Sequence, residues 1–232
     1  RPGVDSLENL LNKMQDAPIF WRILRDQGVT VPAGVRVAEV GGGQGWAACL
    51  LKRVYPAAHV VLTDGVQDAV EGRGIWERVF NCKLDGAHAA PAQQLPFPDG
   101  SIDLLFCFAA AHHFVDYAAA LREMQRVLAP DGTALWLYEP SAPGWLQPLA
   151  EARVNRKRPD VPEHVIVPEQ IRSLAREHDL LCSVEYFTST AHRGRAATLY
   201  YTLLDTLPLL HRWLPCTAHF TFRHAPRVHG AG

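Results

Sequence analysis

The segment Val37-Ala-Glu-Val-Gly-Gly-Gly-Gln-Gly-Trp46 places four glycines within five positions, directly after an apolar run that carries one acid. Trp46-Ala-Ala-Cys-Leu-Leu-Lys-Arg53 follows with helical character. A strand that turns through glycine into a helix exposes backbone amides at the carboxyl edge of a sheet. No Cβ obstructs a ligand there, and the first helical N–H groups lack partners. A tight turn needs only one or two glycines, so the cluster argues for a bound small molecule. The dinucleotide fingerprint G-x-G-x-x-G fails, because Trp46 stands at its sixth position. What remains is Glu39-x-Gly41-x-Gly43-x-Gly45.

Strand and helix patterns alternate from residue 35 onward. Strands are predicted over 35–40, 59–63, 79–84, 102–108 and 133–138, with helices over 44–55, 67–78 and 117–128. The run 102–108 is apolar nearly throughout, as in a strand covered on both faces. Residues 140–168 hold six prolines and predict loop with a short helix near 146–154. A helix over 169–178, strands over 181–188 and 217–223, and a helix over 196–207 complete the chain. One or two amphipathic helices over 5–27 precede the sheet. The fold class is α/β, a doubly wound and mostly parallel seven-stranded sheet with a loop and helix insertion after strand five. A chain of 232 residues with 48% hydrophobic content suits one core and one domain.

Asp64 closes the second strand in Val60-Val-Leu-Thr-Asp-Gly65. An acid there lies beside the first glycine turn, where its two oxygens can accept a pair of ribose hydroxyls. Further on come Leu95-Pro-Phe-Pro-Asp-Gly-Ser-Ile-Asp-Leu104, Phe108-Ala-Ala-Ala-His-His-Phe-Val-Asp116 and Leu121-Arg-Glu-Met-Gln-Arg-Val-Leu-Ala-Pro-Asp-Gly132. With the glycine turn, these segments resemble the class I S-adenosylmethionine-dependent methyltransferases of small molecules over residues 35–140. The "E-x-x-R-V-L-x-P-x-G" segment is the most specific part of the match.

The resemblance implies a cofactor, S-adenosylmethionine, and a division of the single domain. Residues 1–34 would form a helical lid, 35–140 the cofactor-binding core, and 141–232 an acceptor-pocket segment with closing strands. It assigns Gly41, Gly43 and Gly45 to the amino-acid and sulfonium part of the cofactor, Glu39 to the loop or the cofactor amine, and Asp64 to the ribose. The family's acid near the adenine has two registers here. Counted back from Leu95 it falls on Pro91 and Ala92; counted forward from the third strand it falls on Asp85 and Gly86, the preferred pair. Asp103 is expected to open the fourth strand rather than touch ligand.

Alignment of nucleophile and methyl carbon supplies much of the catalysis of methyl transfer. A hydroxyl nucleophile must also lose a proton, and neutral imidazole suits that task. His113 matches the family's usual histidine and His112 is the second candidate; a structural hydrogen bond in the cleft wall is the alternative for either. Two histidines alone make no zinc site, and no metal is expected. Glu139 is expected to point into the cleft. Glu163 and His164 read as surface loop, and Trp46, Trp145 and Tyr186 either stack on a ring or fill core. The expected activity is methylation of a small-molecule hydroxyl on a secondary metabolite or sugar. The rival is a non-catalytic binding or scaffold subunit, which would have no need of the glycines and Asp64.

A formal charge of −1 excludes a broad nucleic-acid footprint. Residues 151–232 are richer in charge, with 11 Lys+Arg, 8 Asp+Glu and a basic knot at Arg153, Arg156, Lys157 and Arg158. That knot reads as a solvated helix face or as a lip that attracts an anionic or sugar-containing acceptor. The five scattered cysteines lack C-x-x-C spacing and suit a reducing, cytoplasmic setting. No secretory signal or bilayer-spanning stretch is read, so neither membrane nor nucleic acid is an expected partner. A homodimer is compatible with the chain. Arg1, in place of a start methionine, is compatible with processing or with a larger parent chain.

Overall fold

The computed structural model describes residues 7–156, 163–191 and 193–226. Lys157 and Arg158 of the basic knot, and residues 5 and 6 of the first predicted helix, lie outside them. The chain runs α1 (Leu7–Asp26), β1 (Arg36–Val40), α2 (Trp46–Val54), β2 (His59–Asp64), α3 (Gln67–Glu71), α4 (Gly74–Val79) and β3 (Gly86–Ala89). Then follow β4 (Ile102–Phe108), α5 (Tyr117–Val127), β5 (Leu128–Ser141), α6 (Gln147–Asn155), α7 (Pro168–Glu177), β6 (Leu180–Phe187), α8 (Arg195–Thr206) and β7 (Cys216–His224).

The sheet order is β3-β2-β1-β4-β5-β7-β6. Strands β1 to β5 pair in parallel, and β7 runs antiparallel between β5 and β6. The chain winds outward from β1 through β2 to β3, then returns to place β4 on the other side of β1. The carboxyl ends of β1 and β4 therefore flank the reversal point, where α/β sheets open a crevice. Apolar helical stripes cover both faces. Leu121, Met124 and Ile171 bury against Trp136, Phe220 and Phe222 on one side. On the other, Phe20 of α1 meets Trp46, Phe106 and Phe108, with ring centroids 5.5–5.6 Å apart.

Helix α1 belongs to this core: Ile19, Phe20, Ile23 and Leu24 are buried. Just past the helix, Gln27 ties the sheet's far edge by donating to Glu185 at 2.7 Å. Asp103, as expected, opens β4; its carboxylate accepts the Arg36 backbone N–H and its guanidinium.

Two predicted elements differ. The helix expected over 67–78 is two short helices, and the third strand lies at Gly86–Ala89 instead of 79–84. A Cβ on Gly72 would stand 2.6 Å from Gln44 Nε2, so the chain turns there without side-chain bulk. The apolar residues that read as a strand serve another end. Trp76 and Leu84 bury against the α2 side of the sheet, and Phe80 stacks on Trp76.

Candidate active site

The glycine turn is built by backbone conformations that other residues rarely adopt. Gly41, Gly43 and Gly45 have φ of 67°, 58° and 76°. Gly42 serves differently: a Cβ there would stand 2.5 Å from Glu39 Cδ and 2.6 Å from Leu62 Cδ1. Gly42 is part of the glycine cluster in the sequence, but the resemblance gives it no role; the Glu39 and Leu62 side chains beneath it supply one. Glu39 Oε2 accepts the Ala48 N–H at 2.9 Å, so its carboxyl fastens α2 to β1 beneath the loop. Burial pushes the Glu39 carboxyl up to about 8. Of the two roles expected for Glu39, steadying the loop is the one its contacts display.

Asp64 stands at the loop's open side. Its Oδ2 accepts the Gly43 N–H at 2.8 Å and its Oδ1 the Val66 N–H at 2.9 Å. Among the described residues, no heavy atom beyond the adjoining residues of the loop lies within 4 Å of where a Gly43 Cβ would project. Open space, bare backbone and a half-buried carboxylate at the neighbouring strand end fit the amino-acid and ribose portions of S-adenosylmethionine.

Asp85 and Gly86 do not join this cluster. Asp85 N–H donates to Val60 O, and the Asp85 carboxylate accepts Val60 N–H at 2.7 Å and Lys52 Nζ at 2.8 Å. Gly86 pairs with Val61. Asp64 is four residues further along β2, about 13 Å at roughly 3.3 Å per residue. Asp85 thus marks the amino edge, and the expectation that it contacts cofactor is corrected. Hydrogen bonding to Lys52 and Val60 overcomes desolvation and holds its carboxyl below the usual value. The carboxyl end of β3 leads into Ala90, whose N–H donates to Asp64 O, and Pro91, which flanks Gly65. The register counted back from Leu95 lands at this carboxyl end.

The segment after β4 meets the glycine turn directly. A Cβ on Gly41 would stand 3.1 Å from Ala110 Cβ and 3.6 Å from the Phe114 ring. Ala111–His113 form a 3₁₀ turn whose donors converge on Glu139. Glu139 Oε1 accepts the Ala110 and Ala111 N–H groups at 2.9 Å each; Oε2 accepts the His112 N–H at 3.2 Å and faces His112 Nδ1 at 2.7 Å. Glu139 is wholly buried, so the expectation that it points into the cleft is corrected: it anchors the cleft wall. His112 is buried as well, while His113 is exposed, and their ring centroids are 4.0 Å apart.

Ala109 and Tyr138 have φ of 47° and 61° at the neighbouring ends of β4 and β5. Ala109 N–H donates to Leu137 O, and Tyr138 stacks on Phe108 at 5.3 Å. Such conformations cost about 1–3 kcal/mol each and gather at functional sites. The Tyr138 N–H donates to Nδ1 of buried His219 at 2.9 Å. Burial lowers His219 to about 4.

The remaining candidates separate. Trp46 is core, whereas Trp145 is exposed and Tyr186 rests on His211 at 4.8 Å. Asn155 holds the Glu163 backbone at both N–H and C=O, and exposed His164 lies 3.7 Å from Glu151. In the "E-x-x-R" segment, Arg126 bonds Glu123, Asp99 and the carbonyls of Leu95 and Phe97, while Glu123 accepts Leu95 N–H. Its specificity is that of a clamp on the Leu-Pro-Phe-Pro loop. Among the described residues, no group of three or more His, Cys, Asp or Glu could hold a metal ion. No described helix is long and apolar enough to cross a membrane.

A seven-stranded sheet of this order, with a glycine loop and an acid at adjacent strand ends, defines the class I S-adenosylmethionine-dependent methyltransferase fold. Residues 38–136 match the model of the methyltransferase domain family, a family that uses S-adenosylmethionine. It is 34% identical to malonyl-[acyl-carrier protein] O-methyltransferase of Halorhodospira halophila, over 52% of this chain and 42% of that protein. It is 32% identical to demethylmenaquinone methyltransferase of Thermus thermophilus, over 61% of this chain and 63% of that one. The chain thus spans about half the length of the curated relatives it matches. The fold is shared with a putative sarcosine dimethylglycine methyltransferase from Galdieria sulphuraria, with a TM-score of 0.67 at 16% identity over 97% of this chain and 91% of that one.

Proposed function

We propose that this chain transfers the methyl group of S-adenosylmethionine to a hydroxyl oxygen of a small molecule, with His113 receiving the proton. The observation that carries this reading is the contact between two strand-end loops. The glycine turn with Asp64, and the 3₁₀ turn with His113, abut through Gly41 and Ala110 at the sheet's reversal point. The bound cofactor supplies an electrophilic methyl carbon on a sulfonium. Asp64 holds the ribose hydroxyls, exchanging its bonds to the loop amides for them in part. Gly41, Gly43 and Gly45 leave room for the amino-acid end. Glu39 keeps the loop and α2 in register from below.

His113 is exposed on a turn fixed by four N–H donors to Glu139, so its ring can reach an acceptor without the turn shifting. His112 acts as a positioning residue. The relatives' names carry two different acceptors, a malonyl-acyl-carrier protein and a demethylmenaquinone, so neither is transferred. A hydroxyl on a secondary metabolite or sugar is the reading kept, because an imidazole base has work to do on such an acceptor.

The test couples two measurements. Calorimetric titration with S-adenosylmethionine reads cofactor binding, and transfer of labelled methyl to a panel of hydroxylated small molecules reads turnover. His113→Ala lowers turnover on the order of 10²-fold with unchanged cofactor affinity. Equal turnover in this variant removes His113 from the role, and no cofactor binding by the wild type removes the whole reading.

A further inference from the structure

We propose that the outer face of α8 and the 3₁₀ turn that follows it, Pro208–Arg212, docks on an anionic lipid bilayer. Leu199, Leu203 and Leu207 recur every fourth residue and form one stripe, and each is about half exposed or more. Leu209 and Trp213 extend the apolar surface past the helix end, at 76% and 61% exposure. These are five of the thirteen exposed large apolar side chains among the described residues, gathered within fifteen positions. Scattered exposed leucines are ordinary, whereas a contiguous apolar patch marks an interaction surface.

The inner side of the helix is already satisfied. Leu204 is buried, Tyr200 Oη donates to Pro215 O at 2.6 Å, and Tyr201 Oη lies 3.0 Å from Thr217 Oγ1. The helix is therefore held in place by one side, while among the described residues the leucine stripe stays about half exposed or more.

Charge selects the occupant. Arg195 and Arg212 border the stripe, and Arg153 of α6 lies close enough to Tyr200 to act on its phenol electrostatically. All three are exposed, and none makes an ion pair among the described residues. The acid on the helix, Asp205, accepts from Thr188 Oγ1. An isologous pairing of two copies would bring this cationic rim toward its own copy, while anionic headgroups neutralise it. Leucine and tryptophan on a helix bordered by arginine is the composition of an interfacial helix, which lies in the membrane surface and needs no spanning segment.

The same helix reaches the cleft. Its Tyr201 ring lies 3.4 Å below the Arg193 guanidinium, and both act electrostatically on Tyr138 at the end of β5. Docking would turn this side of the cleft toward the bilayer. The proposal is independent of the acceptor's chemistry.

Co-sedimentation with vesicles tests it. The wild-type chain pellets with phosphatidylglycerol–phosphatidylcholine vesicles and less with phosphatidylcholine alone. The Leu203→Asp/Trp213→Asp double variant stays in the supernatant while binding S-adenosylmethionine as before, which certifies its fold. Arg195→Gln with Arg212→Gln weakens partitioning on the order of 30-fold, at about one headgroup interaction per arginine. The proposal is overturned if the wild type ignores both vesicle types. It is also overturned if light scattering finds a dimer that Leu203→Asp disperses, which assigns the face to a second copy.

Discussion

Nδ1 of His112 lies 2.7 Å from Oε2 of Glu139, and both side chains are almost wholly removed from water. Paired with an ionised Glu139, the ring donates from Nδ1 and, when neutral, keeps its lone pair on Nε2. The same carboxylate gathers three backbone N–H groups of the turn that leads to His113. Removing it leaves buried donors without an acceptor. Glu139→Ala is expected to cost about 3 kcal/mol of stability, read by urea denaturation. Glu139→Gln retains an acceptor for Ala110 and Ala111 but presents an NH₂ group to His112. It should keep most of the cofactor affinity and lose turnover, with the kcat loss exceeding any change in KM.

Asp64 and Asp85 are carboxylates on or beside neighbouring strands, at opposite ends. Asp64→Ala is expected to abolish measurable S-adenosylmethionine binding, because on the proposed reading two ribose hydroxyls would lose their acceptor. Asp85→Ala should leave binding intact and lower stability by about 1–2 kcal/mol, since it releases Lys52 and the Val60 N–H. Titration calorimetry and thermal melting of both variants separate the two roles. An Asp85 variant that lost cofactor at full stability would reverse the assignment.

The parallel sheet was legible because β1, β2 and β4 are apolar runs bounded by glycine, proline and charge. The turn at Gly41–Gly45 was legible because few residues adopt its dihedrals. β3 was not. Its four residues, Gly-Ala-His-Ala, carry no strand signature, while the preceding Val79-Phe-Asn-Cys-Lys-Leu84 does. Tertiary pairing with β2 decided it. That error carried Asp85 to the wrong end of the sheet. Glu139 was found at its strand end, but no local pattern shows that a carboxylate turns inward to collect donors from residues 110–112. The exposed stripe on α8 was present as leucines at every fourth position, a spacing that reads equally as core. The expectation of no membrane partner rested on spanning segments, and a peripheral surface escapes that test.

Gly42 and Gly43 are adjacent and should respond oppositely to alanine. At Gly42 the new methyl would overlap Glu39 and Leu62, both buried. Gly42→Ala is expected to destabilise by about 1–3 kcal/mol, as overpacking does, and to disturb the loop that Glu39 supports. At Gly43 the methyl meets open space, so stability changes by only about 1 kcal/mol of backbone strain at positive φ. That open space is where the cofactor would lie, so Gly43→Ala should weaken S-adenosylmethionine binding more than it weakens the fold. Denaturation midpoints set beside titration calorimetry distinguish the two; equal loss of binding and stability in both variants would refute the distinction.

Glu39 gives the domain a pH dependence of definite sign. Its carboxyl is raised from 4.5 to about 8, chiefly by desolvation, against the stabilising bond from Ala48 N–H. A group raised on folding binds more protons in the native state than in the unfolded chain between those values. Stability therefore falls as pH rises from about 4.5 toward about 8. Glu39→Gln keeps an oxygen for the Ala48 N–H and has no charge to bury, so it should remove this slope. The variant is then expected to be more stable than wild type at pH 8 and to differ least near pH 5. Urea denaturation of both proteins across that range measures the difference, and parallel curves would show that Glu39 does not carry the linkage.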